Sequence, residues 1–298
     1  MKNIQFPGSK YRGRFAPSPT GPLHFGSLVA AVGSYLDAKF NHGDWLVRIE
    51  DLDRQREVPG AASEILHTLE RLGMEWDGEV IYQSKRGEVY QEALDMLEKQ
   101  RLIYPCICSR KEIADSSIHG VSGPIYPGTC LETPVSQKNR GHALRVRTSS
   151  DPIEFEDSLS GAYSQKLKDE IGDFVLCRAD GIYAYQLAVV VDDAEQNITH
   201  VVRGADLLDS TPRQILLQRL LGYLTPSYLH LPIVTNTKGE KLSKQTNAAA
   251  IDLSSALMQL ISALRFLGQE PPVEMIEGDI FSFWQWARKH WRVHQIPH

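Results

Sequence analysis

The sequence predicts an α/β fold built on a parallel sheet, with an insertion near the middle of the chain. Strand-like apolar runs alternate with helical patterns over 1–103 and again over 177–250. Between them, 104–176 breaks into short segments that contain Cys, Gly and Pro, which indicates an inserted subdomain. The remaining residues, 251–298, predict a short helical C-terminal region.

Helices and strands alternate through the first half. Residues 17–22 form a turn rich in proline and glycine, and an apolar run at helical spacing then covers 28–40. Residues 45–51 are rich in β-forming side chains and predict a strand. Two further helices are predicted over 59–72, with Gly73 just past its end, and over 86–100.

The second half repeats this rhythm. The apolar run 184–191 predicts a buried strand that ends in Asp192 and Asp193, and 197–203 predicts a second strand. Ser210 is positioned to cap a helix that stops at Gly222. In the C-terminal region, helices are predicted around 257–266 and 280–291, and we expect their tryptophans to pack in the core.

Two short segments about two hundred residues apart indicate a nucleotide site. His24 and Gly26 stand where the first helix is predicted to begin, and free backbone N–H groups there favour an anionic ligand. Gly26 lets a ring or a phosphate approach the backbone. Lys241 and Lys244 flank a serine in a loop-like segment whose cations can close over a triphosphate.

Composition agrees with an enzyme of the cytoplasm. The 298 residues include 42% hydrophobic and 23% charged side chains, enough to bury a large core. No apolar run approaches membrane-spanning length, and the N-terminal residues lack a signal-type stretch, so we expect a cytoplasmic location without membrane contact. The net charge of -5 excludes a general coat for nucleic acids but allows a local basic face.

The chain resembles the class I aminoacyl-tRNA synthetases, which have a Rossmann-type parallel sheet. His24-Phe25-Gly26-Ser27 matches their HIGH motif, with Ser27 as a departure, and Lys241-Leu242-Ser243-Lys244 matches their KMSKS motif. The resemblance implies that 1–103 and 177–250 are the two halves of the catalytic domain. It implies that His24 and Lys244 are catalytic and that ATP, with Mg²⁺, contacts His24, Gly26, Ser27, Lys241, Leu242, Ser243 and Lys244.

Within this class the chain is similar to the glutamyl-tRNA synthetases over 14–244. The matching segments are 14–21, 48–53 and 202–208. Glutamate has one ammonium and two carboxylates, so its pocket needs an anion and forked donors. The resemblance implies that L-glutamate contacts Arg14, Phe15, Ala16, Pro17, Ser18, Glu50, Tyr185 and Arg203. The structural alternative is that Glu50 simply pairs with Arg48 and that Tyr185 fills the core.

The length suggests which acceptor is used. Glutamyl-tRNA synthetases carry a large anticodon-reading region, for which 54 residues after Lys244 leave no room. The chain therefore resembles the glutamyl-queuosine tRNA(Asp) synthetase family, which implies that tRNA(Asp) carrying queuosine is the acceptor. Two alternatives are a shortened glutamyl-tRNA synthetase, which charges the terminal adenosine of tRNA(Glu), and a silent paralogue that binds nucleotide or RNA. We expect a monomer.

The insertion also contains a candidate metal site. Cys106, Cys108 and Cys130 lie within 25 residues, and three thiolates suit tetrahedral zinc, which needs a fourth ligand. From the residues alone, the candidates for that ligand are His119, Tyr126 and Cys177. The family resemblance favours Tyr126 and implies one structural zinc ion per chain, bound in an insertion that contacts RNA. The structural alternative is a set of buried thiols without metal.

Overall fold

The computed structural model describes residues 10–116, 119–120, 123–132, 141–235 and 249–298. In the first half, three parallel strands pair in the order β1, β2, β3. Helices α1 and α2 make the crossover connections that parallel strands require. The elements are β1 (Arg12–Phe15), α1 (Phe25–Phe40), β2 (Asp44–Ile49), α2 (Ala61–Arg71) and β3 (Ile81–Tyr82).

The predicted helices of the first half are confirmed, with small shifts at their ends. Gly73, just beyond α2, has a φ of 69°, a left-handed conformation that glycine adopts without strain. A short 3-10 turn, Gln83–Lys85, precedes helix α3 (Gly87–Lys99). Helix α3 then leads into the inserted segment.

The second half adds β11 (His200–Gly204) and β12 (Ser227–Leu231), which pair in parallel and are joined by helix α8 (Thr211–Leu221). The N–H of Thr199 donates to the carbonyl of Arg12 at 2.9 Å, so β11 lies beside β1 and the two halves adjoin. The predicted stop of α8 is confirmed, because Gly222 has a φ of 74°. Ser210 precedes α8 without a capping side-chain hydrogen bond.

The prediction of a strand over 184–191 is wrong. Helix α7 (Tyr185–Glu195) occupies this position, and Leu187 to Asp193 are all buried in it. A continuous apolar run fits a buried helix as well as a buried strand, because neither leaves a polar face to set the period. Asp192 and Asp193 therefore lie on the last turns of a core helix and not at the end of a strand.

The segment between the halves divides between two sheets. Strand β7 (Ala143–Val146) pairs antiparallel with β4 (Ile103–Cys106) on one side and with β10 (Val175–Cys177) on the other. Strand β8 (Ile153–Asp157) pairs with β12, and β9 (Gly161–Gln165) pairs with β8, so both extend the sheet of the second half. The remaining elements here are α4 (Arg110–Ser116), β5 (His119–Gly120), β6 (Gly123–Pro124), α5 (Thr129–Glu132) and α6 (Leu167–Glu170).

The C-terminal residues pack against the first half. Helices α9 (Ala256–Phe266) and α10 (Ile280–His290) share one hydrophobic core with α1, α2, β1 and β2. The indole of Trp284 donates to the carbonyl of Leu72 at 2.8 Å, and that of Trp291 donates to Asp37 at 3.0 Å. These two tryptophans are buried, as predicted, whereas Trp286 is only partly buried and stacks on His290.

Candidate active site

The turn between β1 and α1 places the predicted phosphate-binding residues at a helix start. His24 caps α1, since the N–H of Ser27 donates to its Nδ1 at 3.3 Å, and Nε2 lies 3.1 Å from Ser27 Oγ. Because a backbone N–H donates to Nδ1, the neutral ring carries its proton on Nε2. Ser27 therefore holds the histidine in one orientation. Gly26 lies in the first turn of α1.

The second half of the predicted ATP site lies outside the described residues. This applies to Lys241, Leu242, Ser243 and Lys244. The chain is described again from residue 249, and Ala250 pairs with His24 as an antiparallel bridge. The N–H of Ile251 also donates to the carbonyl of Leu23 at 2.9 Å. The chain beyond the KLSK segment thus returns to the start of α1.

Arg14 is held in a fixed plane beside the turn. It is buried in β1, and its Nε and Nη2 donate to the two carboxylate oxygens of Asp193 at 3.0 and 3.2 Å. Burial alone would raise the pKa of the Asp193 carboxyl, but Arg14 and Arg48 hold it below its ordinary value. The ionised Asp193 leaves Nη1 of Arg14, and the second N–H of Nη2, as donors for a ligand.

Arg48 links this pair to Glu50. Its fully buried guanidinium lies 2.9 Å from Asp193 Oδ1, 3.5 Å from Glu50 Oε1 and 3.6 Å from Asp192 Oδ2. Its Nη1 donates to Gln196 Oε1 at 2.7 Å. Glu50 does contact Arg48, as in the structural alternative, but this is a longer contact than those of Arg48 with Asp193 and Gln196.

The carboxyl group of Glu50 has little contact with solvent, since its side chain is 9% exposed. It follows β2 directly, and its N–H donates to the carbonyl of Pro17 at 3.0 Å, which ties it to the turn before α1. Burial raises the pKa of Glu50 to about 7, although Arg48 and Arg14 oppose the shift. The nearest cation to this buried carboxyl is Arg48, whose Nη2 lies 3.5 Å from Oε1, so a ligand ammonium at closer range would stabilise its charged form further.

Two further predicted residues, Tyr185 and Arg203, lie close to each other in the second half of the chain. The hydroxyl of Tyr185, at the start of α7, lies 3.5 Å from Nη1 of Arg203 in β11. Tyr185 packs against the core, as in the structural alternative, and it is partly buried. Burial raises its pKa, and the nearby charges of Arg203, Glu50 and Arg14 also act on it. The four predicted glutamate residues Arg14, Glu50, Tyr185 and Arg203 thus surround one region.

Arg203 is positioned by a chain of buried polar groups. Its Nε donates to His230 Nε2 at 3.1 Å, and His230 Nδ1 lies 2.6 Å from Asp157 Oδ2. Because Nε2 accepts from arginine, His230 is neutral and donates from Nδ1 to Asp157. Thr211 and Gln214 of α8 accept from the outer nitrogens at 2.8 and 2.9 Å. The 3.5 Å contact with Tyr185 is the weakest, so it is the one that a ligand carboxylate would replace.

The remaining predicted residues form the wall of the turn. Phe15 is buried and stacks on Trp45, Ala16 and Pro17 are partly buried, and Ser18 is exposed. Sequence reasoning missed the roles of Asp193, His230 and Asp157. The acidic pair 192–193 was visible in the sequence, but its position on a helix was not, and a lone histidine in a β-rich run gave no signal.

The cysteines of the insertion converge as predicted. The sulfur atoms of Cys106, Cys108 and Cys130 all lie within 4.8 Å of one another. The Tyr126 hydroxyl lies 3.4 Å from the sulfur of Cys106 and 3.7 Å from that of Cys108, and it accepts the N–H of Cys130 at 2.9 Å. Three thiols and one phenol oxygen around one point give a donor set that suits zinc.

The other two candidates for the fourth zinc ligand are Cys177 and His119. Cys177 lies in β10, and it does not belong to the cysteine group that the described residues form. The side chain of His119 lies outside the described residues. Of the two candidates whose side chains are described, Tyr126 is the one whose donor atom lies beside the thiols.

Helices in the described part of the chain are too short or too polar to cross a membrane. The longest of them, α1, has 16 residues.

The chain matches a family of known enzymes over most of its length. Residues 10–269 fit the model described as tRNA synthetases class I (E and Q), catalytic domain. The chain is 58% identical over 292 residues to the glutamyl-Q tRNA(Asp) synthetase of Dechloromonas aromatica, covering 97% of this chain and 96% of that protein. It is 53% identical to the glutamyl-Q tRNA(Asp) synthetase of Chromobacterium violaceum, with 96% and 95% covered.

A solved structure shares the fold. The crystal structure of a glutamate tRNA ligase from Elizabethkingia meningosepticum, in complex with its amino acid, aligns with a TM-score of 0.78 and 25% identity. The alignment covers 97% of this chain and 66% of that ligase, so the chain spans slightly less than two thirds of the ligase. The predicted α/β fold of class I synthetases, with a parallel sheet, is confirmed.

Proposed function

Since the chain belongs to the family of class I tRNA synthetases for glutamate and glutamine, we propose that it activates L-glutamate with ATP and transfers the glutamyl group to queuosine in the anticodon loop of tRNA(Asp). The proposal rests on the similarity to glutamyl-Q tRNA(Asp) synthetases, which are 52–58% identical to this chain over nearly its whole length. The cluster of Arg14, Glu50, Tyr185 and Arg203 supports the choice of amino acid.

Glutamate binding follows from the charges of this cluster. Glu50 binds the ammonium group. Its carboxyl is buried and its contact with Arg48 is long, at 3.5 Å, so a closer cation stabilises its negative charge. Arg14 offers two unused N–H groups in the plane fixed by Asp193, which suits a carboxylate. Arg203 and the Tyr185 hydroxyl bind the other carboxylate. Phe15, Ala16, Pro17 and Ser18 form the wall beside it.

ATP lies at the start of α1 in this proposal. His24, Gly26 and Ser27 face the triphosphate with the positive end of the helix dipole. Lys241, Leu242, Ser243 and Lys244 contact it from the second motif. When bound, Mg²⁺ neutralises phosphate oxygens of the triphosphate.

The reaction has two steps. An oxygen of the glutamate α-carboxylate forms a bond to the α-phosphorus of ATP, and the bond to the bridging oxygen breaks, so that pyrophosphate leaves with that electron pair. His24 exchanges its contact with Ser27 Oγ for one with the phosphate and donates from Nε2, and Lys244 adds its charge, where negative charge accumulates. A queuosine hydroxyl then attacks the acyl carbon of glutamyl-adenylate and loses its proton, and AMP leaves.

We assign one structural zinc ion to Cys106, Cys108, Cys130 and Tyr126. The convergence of their donor atoms supports this assignment. A full set of protein ligands leaves no open position, so the ion stabilises the insertion and takes no part in the chemistry. Purified protein should contain about one zinc per chain by elemental analysis, and Cys108→Ser should lose it while retaining glutamate activation. Metal-free native protein would contradict the assignment.

The acceptor is tested by locating the label after transfer. The protein is incubated with radiolabelled glutamate, ATP and bulk tRNA, and the RNA is digested to nucleosides. Label on the queuosine nucleoside is expected. Label on the terminal adenosine would instead identify a shortened glutamyl-tRNA synthetase, and no label, together with no glutamate-dependent pyrophosphate exchange, would identify a silent paralogue.

A further inference from the structure

A cavity of about 360 Å³ lies between the inserted segment and helix α8. Its walls come from α4, β6, β7, β10 and α8, and they include three arginines: Arg110, Arg145 and Arg213. Apolar side chains, among them Ile113 and Phe174, line the rest. The proposed glutamate and ATP sites involve none of these arginines, and only Arg145 contacts the proposed zinc site, where it packs on the Tyr126 ring. The volume lies within the range of pockets that hold small organic groups.

Two of the arginines have an unused donor. The Nε atoms of Arg145 and Arg213 are buried, and neither has a hydrogen-bond partner among the described residues. Because these Nε atoms are buried, a ligand in the cavity would contact the outer nitrogens of the guanidinium groups. Arg213 is also weakly held, because its Nη2 makes two long hydrogen bonds within the described part of the chain, to the carbonyl of Asp209 at 3.3 Å and to Ser210 Oγ at 3.5 Å.

The acidic groups of the cavity are already satisfied. Asp173 accepts from the Tyr104 hydroxyl at 2.6 Å and from both the N–H and the hydroxyl of Thr148 at 2.8 Å. Glu170 accepts from the N–H of Lys166 at 2.7 Å and from Gln165 at 3.3 Å. Neither carboxylate forms an ion pair with the three arginines among the described residues. Three guanidinium groups against two carboxylates leave the cavity one positive charge, which favours an anion.

Helix α8 connects this cavity to the proposed active site. Thr211 and Gln214 bind Arg203, while Arg213, on the same helix, lines the cavity. Ser210 also accepts from Gln186, the neighbour of Tyr185. An RNA chain that brings a hydroxyl to the adenylate would therefore pass close to Arg213.

We propose that this cavity binds one nucleotide of the RNA substrate, with its phosphate on Arg213, Arg145 and Arg110 and its base or ribose against the apolar wall. The inference rests on the proposed function, because that function supplies the RNA. Guanidinium groups suit phosphate oxygens, which accept from two N–H groups at once. A free nucleotide offers the same chemistry, so the test includes one.

Arg213→Gln is the test variant, since Arg145 lies 3.9 Å over the Tyr126 ring and its replacement would disturb the cysteine group. Arg219→Gln is the matched control, because it removes the same charge from an exposed position of the same helix. The binding constant of tRNA(Asp) carrying queuosine is measured over a range of salt concentrations. We expect Arg213→Gln to weaken binding about tenfold and to reduce the salt slope by about one, with little effect from Arg219→Gln.

Glutamate-dependent pyrophosphate exchange without RNA separates the possible failures. If the native protein does not catalyse exchange, the proposed function fails; if exchange persists but Arg213→Gln binds tRNA with native affinity and slope, the cavity proposal fails. Binding of free AMP that depends on Arg213, with unchanged tRNA affinity, would also overturn it. If Arg213→Gln does not fold, Arg110→Gln at the exposed rim should weaken tRNA binding about threefold, and native affinity would contradict the proposal.

Discussion

Asp193 joins two buried arginines that come from different strands. It accepts from Arg14 at 3.0 and 3.2 Å and lies 2.9 Å from Arg48, which also contacts Glu50. A carboxylate shared in this way fixes both guanidinium planes and the distance between them. It is therefore a positioning residue, which acts on glutamate through Arg14 and Glu50 without contacting it in our proposal.

Asp193→Asn should lower both stability and glutamate affinity. Removing one charge leaves two buried cations poorly paired, which costs about 3 kcal/mol of unfolding free energy. The KM for glutamate in pyrophosphate exchange should rise at least tenfold, because Arg14 loses its fixed plane. Asp44→Asn, which removes a partner of Arg12 at the other end of the strand pair, is the control and should cost less than about 1 kcal/mol. A native KM in Asp193→Asn would contradict the positioning role.

Glu50 should make glutamate binding depend on pH near neutrality. Its carboxyl must be ionised to pair with an ammonium, and burial raises its pKa to about 7. The KM for glutamate should therefore fall roughly tenfold between pH 6 and pH 8 as the ionised fraction grows. Glu50→Gln should bind weakly at every pH and show no such slope. A native profile that is flat over this range would argue against Glu50 as the ammonium partner.

The raised pKa of Glu50 should also make the folded protein less stable as the pH rises, although glutamate binding improves. The folded state holds the Glu50 proton up to about pH 7, whereas the ordinary value is 4.5. The free energy of unfolding should therefore fall as pH rises from about 4.5 to about 7. Glu50→Gln should reduce that fall, and urea unfolding at pH 5 and pH 8 measures the difference between the two proteins.

Residues of the site could be predicted where neighbouring residues in the sequence reveal their position. His24 at a helix start, Glu50 at a strand end and the convergent cysteines were all expected, because turn composition and spacing encode them. Asp157 and His230 could not be found this way. They meet only because β8 pairs with β12, a contact between strands about 70 residues apart in sequence.

At the scale of elements, the second half shows what a sequence pattern leaves undecided. Residues 184–191 are apolar except for Gln186, and the structure makes them a helix packed on α3 and α8, with no polar face to reveal the helical period. The error matters for the site, because the last turns of helix α7 are what place Asp192 beside Arg86 and Asp193 beside Arg14. Amphipathic helices such as α2 were predictable, because their polar faces mark the helical period.

One glycine fixes the insertion against the cysteine group. Gly172 has a φ of 75°, and a β-carbon added there would lie 2.6 Å from the carbonyl oxygen of Tyr126. Gly172→Ala should therefore push away the segment that carries Tyr126 and lower both stability and zinc content. Gly161→Ala is the control, because Gly161 has the same φ of 75° but nothing within 4 Å of such a carbon.

The comparison separates backbone strain from steric contact. Gly161→Ala should cost about 1–2 kcal/mol of unfolding free energy, from the left-handed backbone alone. Gly172→Ala should cost a further ~2 kcal/mol and release zinc, because backbone atoms cannot move aside as a flexible side chain can. Thermal unfolding and elemental analysis measure the two effects, and equal stabilities of the two variants would rule out the predicted contact.

At the scale of the whole molecule, Asp37 ties the C-terminal helices to the catalytic sheet. This buried residue of α1 accepts from the Tyr11 hydroxyl, next to β1, and from the Trp291 indole, just after α10. Burial raises the pKa of Tyr11, and the Asp37 charge raises it further, so the phenol stays protonated as the donor. The C-terminal region and the first half of the chain therefore share one polar bridge inside one hydrophobic core.

Trp291→Phe tests this coupling, because it keeps an aromatic ring but removes the indole N–H. One oxygen of a buried carboxylate then loses its donor, and we expect a loss of about 2–3 kcal/mol of unfolding free energy. Trp286→Phe, at a partly exposed position on α10, should cost less than about 1 kcal/mol. Circular dichroism and activity should be lost together in a single transition in both variants, since the helices and the sheet share their core. A partial loss of helical circular dichroism at a lower denaturant concentration than the loss of pyrophosphate exchange would instead show that the C-terminal region unfolds independently.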